Sequence, residues 1–374
     1  MNMSKKRFVI SGINLFSGGP LSVYKDLLHA IEDGGFLDQF HVTAFVHKKE
    51  LFKEFEGNIE LIEIPSSRKS YFFRLYYEYI YFWNYSRKNP TDVWLSIHDM
   101  TPNVKAKKRY VYCHNPSPFM KRTETIRKLG KTYYLMSMFY KFIYRINIRK
   151  NTAVIVQQEW LRKEFRKMFR LDHIIVARPD FKLDSVETSG ISEARHDRKI
   201  FIYSAYPRPF KNFEAICEAA KLLEEKDQAF ADKFEVWMTI DGSENPYSEM
   251  LRQKYGNIRS IRWLGLISRD EMMRKYAESD YLIFPSVLET WGLPITEYKM
   301  FDKPMLVADL PYAHETVGDW DKVAFFDPYQ ASQLSEQMEK VLSGANIFRK
   351  HVEEPVEQPF TNSWHDLLKM ILKE

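Results

Sequence analysis

Cysteine is nearly missing from this chain: two residues in 374, Cys113 and Cys217, far apart. That excludes a disulfide scaffold and any cysteine-rich zinc site. No stretch of roughly 18 uninterrupted apolar residues occurs, so no transmembrane helix is expected. The basic start, Met1–Arg7, runs into an apolar segment, Phe8–Ile13, that is too short and ends too polar for a secretory signal. A chain kept in the cytoplasm is expected. The common phosphate-binding motifs also fail. Gly12 to Gly19 lacks the three-glycine dinucleotide spacing, and Gly130-Lys131-Thr132 has Thr125 where a nucleoside-triphosphate loop needs glycine. Asp319-Trp320-Asp321 reads as an ordinary loop pair, and no metal is expected.

What is present is a globular composition, 45% hydrophobic and 28% charged, long enough for two domains of average size. Aromatic residues are plentiful, with 22 Tyr and 27 Phe. The net charge of +5 conceals a division. Residues 1–178 carry 31 Lys and Arg against 16 Asp and Glu, while 179–374 carry 24 against 34. The excess is densest in 105–150, with 13 basic residues and one acid, Glu124. Such a face is either simply solvated or drawn to an anion: a nucleic acid, a membrane or a phosphate-bearing substrate.

Along the chain, strand and helix patterns alternate. Phe8–Gly12 reads as a buried strand, then Ser17-Gly18-Gly19-Pro20 as a turn into a helix near Leu21–Ile31. Strand patterns follow at His41–Val46, Ile59–Ile64, Val93–Ile97, Tyr110–Tyr112 and Ala153–Val156, with helices at Tyr71–Arg87 and Glu159–Phe169. The pattern lapses between Ala177 and Arg198 and then restarts, with strands at Ile200–Ser204, Phe234–Ile240, Ile258–Leu264, Tyr281–Pro285, Pro304–Ala308 and Val323–Phe326. A helix at Phe213–Leu223 lies among them, and an amphipathic helix at Asn362–Leu372 closes the chain. This is α/β organisation: two doubly wound Rossmann-like domains, with ligands expected at the carboxyl ends of the strands, facing a cleft. The expected divisions are a first domain at 1–178, a linker at 179–198, a second domain at 199–355 and a terminal helix at 356–374.

The most informative segment is 280–316. A strand ends at Phe284-Pro285-Ser286, and Val287-Leu288-Glu289-Thr290-Trp291-Gly292 leads to a helix starting near Leu293-Pro294. Amides at a helix start suit a diphosphate, and Gly292 lets the backbone approach an anion closely. Glu297 lies one turn into the helix, within reach of a ribose, and Glu289 is placed to meet a sugar beyond the phosphates.

Two glutamates seven residues apart, enclosing Gly292-Leu293-Pro294, resemble the signature of the retaining GT-B glycosyltransferases usually numbered family four. The flanking Phe-Pro-Ser, Lys303-Pro304, Ala308-Asp309-Leu310-Pro311 and Glu315 fit too, as do Trp263-Leu264-Gly265 and Ala277-Glu278-Ser279-Asp280. The resemblance is strong over 199–343 and looser before it. It implies a donor site of Glu289, Thr290, Trp291, Gly292, Leu293, Pro294 and Glu297, joined by Lys211-Asn212, which is similar to the family's diphosphate-binding pair. The family's Gly-Arg is missing, and Arg208 is the substitute at hand. Gly18-Gly19 resembles the N-terminal glycine turn that meets phosphates and acceptor. His114, in Tyr112-Cys113-His114-Asn115-Pro116, resembles the histidine near the donor sugar; His98-Asp99 ends an adjacent strand. Asp241-Gly242 is assigned only cleft lining.

The resemblance implies a UDP- or GDP-linked sugar as substrate, no cofactor and no metal. Transfer would be by front-face attack, with Lys211, Glu289 and His114 as the catalytic set. Glycan or lipid-linked acceptors would enter through the first domain, and the last helix would cross back to it. A nucleotide-sugar epimerase is the rival within the fold. A non-catalytic nucleic-acid-binding protein is the rival outside it, but no nucleic-acid module is recognisable. An anionic membrane is the further partner expected, through 68–88 and 105–150. Tyr71 to Tyr85 holds ten aromatic residues in fifteen, and Arg127 to Lys150 has seven basic residues and no acid.

Overall fold

The computed structural model describes residues 5–122, 124–178 and 197–373. The expected linker, 179–198, lies outside them except for its last two residues. Fifteen strands occur among the described residues. Seven precede the linker: β1 Lys6–Ser11, β2 Phe40–Val46, β3 Glu60–Glu63, β4 Thr91–Ser96, β5 Ala106–Cys113, β6 Ala153–Val156 and β7 Ile174–Ala177. Seven follow it: β8 Lys199–Tyr203, β9 Phe234–Met238, β10 Ile261–Trp263, β11 Tyr281–Phe284, β12 Met305–Ala308, β13 Trp320–Phe326 and β14 Arg349–His351. The last, β15, is Phe360–Thr361.

Two compact units divide the chain. One comprises Met1–Pro118, Phe139–Phe181 and Val356–Glu374; the other comprises Phe119–Met138 and Lys182–Pro355. The second unit thus takes in 119–138, a stretch that the sequence pattern groups with the first.

The first unit is built on an eight-stranded sheet in the order β15-β7-β6-β5-β4-β1-β2-β3. All of its pairings are parallel, and the helices between strands cover both faces. On one face Phe8, Ile10 and Leu95 pack with Tyr24, Leu27 and Ile31 of the helix Gly18–Asp33, and with Trp364, Leu368 and Ile371 of the helix Trp364–Leu372. The chain end therefore belongs to the first unit, as expected. On the other face Val9, Phe45 and Trp94 meet Phe82 and the inner sides of Tyr77, Tyr81 and Tyr85. That helical stretch runs Tyr71–Lys88, with a π-helical turn at Tyr77–Tyr81. Its start is capped by the Ser70 hydroxyl, which accepts the Phe73 N–H at 3.4 Å.

The second unit has seven strands in the order β10-β9-β8-β11-β12-β13-β14, parallel except for the β13–β14 edge pair. Strands β8 and β11 are neighbours although about 80 residues separate them, with Tyr281 beside Phe201 and Leu282 beside Ile202. The order reverses direction at this pair, so the loops leaving β8 and β11 splay around a natural ligand position.

Candidate active site

The loop after β8 is short and constrained. It passes Arg208 and a 3₁₀ turn, Pro209–Lys211, and reaches Asn212 in the left-handed region at φ 57° before the helix Phe213–Lys226. The Tyr203 hydroxyl donates to the Lys211 carbonyl at 2.8 Å, which fixes the turn. The loop after β11 is tied to it by the Val287 N–H on the Phe210 carbonyl at 2.9 Å and by the Ser286 hydroxyl on the same carbonyl at 3.2 Å. The Asn212 side-chain amide donates to the carbonyls of Pro285, at 3.1 Å, and Pro328, at 2.8 Å. In this structure Asn212 therefore serves as a tie between loops.

These ties bring together two side chains 78 residues apart. The Lys211 ammonium and the Glu289 carboxylate form an ion pair, with 18% and 13% of the side chains exposed. Thr290 and Trp291 continue the loop; the Trp291 indole N–H donates to the Thr296 hydroxyl at 2.9 Å, and the Trp291 carbonyl accepts from the Thr316 hydroxyl. Gly292 follows at φ 95°, a conformation that a side chain would strain, and there it opens the helix Leu293–Lys299. Pro294 has no N–H, so the amides of Gly292 and Leu293 are the donors that this loop end offers an anion.

Glu297, one turn on, is 8% exposed. Burial pushes its carboxyl above the usual range, opposed by the charge of Arg269 and by the Tyr276 hydroxyl. That hydroxyl also bonds Ser204, at the end of β8. Arg208 is exposed beside three rings, Tyr133, Tyr206 and Phe210, at 5.7, 5.8 and 5.9 Å from their centroids. Asp319 accepts the Glu353 N–H at 2.9 Å, an ordinary loop tie.

The other candidates lie in the first unit. Gly18 and Gly19 open the helix after β1, exposed, with nothing within 4 Å of a Cβ built on either. His114 follows the end of β5. Asp99, after β4, is buried at φ 62° and holds the neighbouring loop. Its carboxylate accepts the N–H groups of His114 and Asn115 at 2.8 and 3.0 Å, and the hydroxyls of Tyr144 and Tyr140 at 2.9 and 3.3 Å.

One polar atom from each of His98, Asp99 and His114 lies within 4.8 Å of the others. The chemistry of this group does not suit a cation. The Arg74 guanidinium hydrogen-bonds His98 Nδ1, and the Asp99 oxygens are already occupied by four donors.

Sequence reasoning missed Arg74 and Glu78, both buried on the aromatic helix, and undervalued Asp99. One signal was available: Arg74 and Glu78 are the only charges between Tyr71 and Tyr85, spaced one helical turn apart.

Two parallel doubly wound sheets and a ligand position at the β8–β11 reversal define the GT-B fold. Comparison with solved structures gives the same architecture. A glycosyltransferase from Rickettsia africae ESF-5 aligns at TM-score 0.65 and 16% identity over 91% of this chain and 89% of that one. WaaG, a glycosyltransferase involved in lipopolysaccharide biosynthesis, aligns at 0.63 and 14% over 90% of each. Residues 185–357 match the family model Glycosyl transferases group 1. That match spans just under half of the chain and, with the GT-B fold, supports a family-four-like glycosyltransferase. Among curated proteins, the O-antigen chain mannosyltransferase RfbU of Salmonella typhimurium LT2 is 19% identical over 219 residues. The match takes in 56% of this chain and 59% of that protein's length.

Proposed function

We propose that this chain transfers a sugar from a UDP- or GDP-linked donor to a lipid-linked or polysaccharide acceptor in surface-glycan synthesis, with retention and without a metal. The observation that carries this reading is the Lys211–Glu289 ion pair at the β8–β11 reversal, one loop from the buried Glu297. In this reading Lys211, with Arg208 and the amides at Gly292 and Leu293, takes up the charge of the departing diphosphate. Preorganised donors of this kind are worth about 10²–10³ in rate each. Glu289 orients the sugar hydroxyls and favours positive charge at the anomeric carbon. Glu297 holds the ribose. Gly18-Gly19 and His114 serve from the first domain, His114 beside the donor sugar. The leaving phosphate accepts the acceptor's proton, so no side chain acts as a covalent nucleophile. The mannosyltransferase among the relatives puts GDP-mannose first in the test panel.

The test is transfer and thermal shift against UDP-glucose, UDP-galactose, GDP-mannose and the free nucleotides, with and without EDTA. Stabilisation by one nucleotide class and EDTA-resistant turnover are expected. Loss with EDTA that Mg²⁺ or Mn²⁺ restores refutes the metal-free reading. Release of a free epimerised sugar without need of an acceptor favours the epimerase.

A second observation extends the reading to a membrane site at the cytoplasmic face. Among the described residues no helix is long and apolar enough to cross a membrane. The aromatic helix nevertheless leaves Tyr71, Phe72, Tyr76 and Ile80 exposed, Phe72 to 83%, with Arg68, Lys69, Arg87 and Lys88 at its ends. The helix Lys131–Arg145 leaves Leu135, Phe139 and Phe142 exposed among Lys131, Lys141 and Arg145. Aromatic side chains suit the interface, and basic residues near anionic lipid contribute about 1 kcal/mol each. Binding to anionic vesicles that weakens with salt supports this. Equal recovery in the supernatant from neutral and anionic vesicles at low salt refutes it.

A further inference from the structure

Two histidines of the second unit meet without a part in the chemistry above. His314 stands in the helix Pro311–Val317, and His351 ends the edge strand β14. His314 Nδ1 and His351 Nε2 are 3.0 Å apart, a hydrogen-bond distance. The other nitrogen of each ring faces an acceptor. His314 Nε2 lies 2.7 Å from the carboxylate of Asp309, just after β12, and His351 Nδ1 lies 2.8 Å from the Gly318 carbonyl.

The proton count follows from these three contacts. Each outer nitrogen must carry a hydrogen to meet its acceptor. Two neutral rings so arranged would point bare lone pairs at each other across 3.0 Å. The three contacts together therefore need one proton more than two neutral rings hold. Moving that proton onto Asp309 reverses the donor at one contact and leaves the count the same. A second extra proton would set two N–H groups against each other. Phe325 of β13 favours the charged form, stacked on His314 with 4.1 Å between centroids and 26° between planes. The surrounding charges are otherwise engaged. Lys299 donates to the Val317 carbonyl at 2.7 Å, and it and the Glu353 carboxylate flank Gly318. Asp319 holds the Glu353 N–H, Arg349 donates to the carbonyls of Asn346 and Phe348, and Glu315 follows His314 in the helix.

The pair joins a weakly held strand to a helix that grips the candidate donor loop. Strand β14 meets β13 at Trp320 beside His351 and Val323 beside Arg349, with a break in register between them. From the helix, the Tyr312 hydroxyl donates to the Ser286 carbonyl at 2.6 Å and the Thr316 hydroxyl to the Trp291 carbonyl.

We infer that His314 and His351 share one proton, and that this proton is a latch that fastens β14 to the helix Pro311–Val317 and so steadies the loop Ser286–Gly292. The loop's part in donor binding rests on the proposed function; the proton count does not. The unfolded chain lacks this hydrogen bond, so the folded pair holds the shared proton more tightly, and the latch is lost as rising pH removes it. It is lost again as falling pH adds the opposing second proton.

The test uses the full chain with EDTA present, titrated from pH 5 to pH 9. The two rings are followed by ¹⁵N-histidine NMR, assigned by the loss of signals in His314→Gln and His351→Gln. Both rings should report the same two steps, and in either variant the remaining ring should titrate in one. The Trp291 indole N–H signal, assigned by its loss in Trp291→Phe, should move with those steps in the wild type and stay still in His351→Gln. Rings that titrate independently, or an indole that ignores their steps, overturn the inference. Between the two steps and above them, the Kd for free UDP or GDP should rise about fivefold more in the wild type than in His351→Gln. Equal changes in the two proteins overturn the latch. If neither nucleotide binds while rings and indole titrate together, the latch stands and the proposed function falls.

Discussion

The two units assemble their polar centres in opposite ways. In the second, Lys211 and Glu289 reach across two loops and pair with each other, and both keep some contact with solvent. In the first, Arg74, His98, Asp99 and Tyr144 are buried; Arg74 bonds the ring and the carbonyl of His98, and the Tyr144 hydroxyl bonds Asp99 and the Asn115 carbonyl. The loops of the second centre can exchange the ion pair for a ligand's charges at small structural cost. The first centre cannot rearrange without leaving buried donors unpaired, which costs about 1–3 kcal/mol for each group. The charges that keep contact with solvent sit on loops; the groups held in one orientation are tied into the core.

Substitutions can break or sharpen that contrast. The largest effect is expected at Lys211→Ala, which should lower sugar transfer by about 10²–10³ while leaving the melting temperature within a few degrees of the wild type. Glu289→Gln should lower turnover more than it weakens nucleotide binding. Wild-type transfer by both would remove the second centre from the chemistry.

Asp99→Ala should do the reverse. It strands two N–H groups and two hydroxyls, and about 3 kcal/mol of stability should be lost in denaturant unfolding. A smaller change than about 1 kcal/mol would mean that the first centre is less tightly tied than its hydrogen bonds indicate.

Glu78 gives the first centre a pH signature. It is 1% exposed, and burial, only partly offset by Arg74, pushes its carboxyl up to about 7. The folded state thus holds this proton more tightly than the unfolded chain does. The contribution to stability is full below the unfolded value near 4.5, falls as pH rises through 7, and is worth about 3 kcal/mol when fully expressed. Unfolding free energies at pH 5 and pH 8 should therefore differ less in Glu78→Gln than in the wild type. An unchanged difference would take the titration away from Glu78.

The smallest effect is expected at Glu297→Ala. Loss of the proposed ribose contact should weaken donor binding about tenfold, read by calorimetry, with kcat less affected. An unaltered Kd would reassign Glu297 to holding Tyr276 and Ser204 in place.

Much of this fold was legible from local pattern. The buried runs at β1, β6, β8 and β11 and the amphipathic last helix stand out in sequence because each satisfies a simple period. Other elements have no such pattern. Strand β14 is Arg-Lys-His and β15 only two residues long; they are strands because β13 and β7 offer them a partner. Strand β5 begins in Ala106-Lys107-Lys108-Arg109, whose charges hide its first half, and β7, four residues just ahead of the expected linker, is too short to show a period. In the site, Glu289, Gly292 and Glu297 were readable because they share one strand–loop–helix segment. Asn212 was readable as a position, while its role as a tie between Pro285 and Pro328 was not.

The sequence by itself determined the alternation of strands and helices, the charge division of the chain, and the glycine that the turn at φ 95° requires. These depend on neighbours within a few residues, where periodicity and backbone sterics act. Only the tertiary structure decided that Lys211 meets Glu289 and that Arg74 meets His98. Those meetings follow from strand order, β8 beside β11 and β4 beside β5, and from how a helix lies on its sheet. Both are set by long-range packing, which brings together residues 78 and 24 positions apart that no local pattern connects.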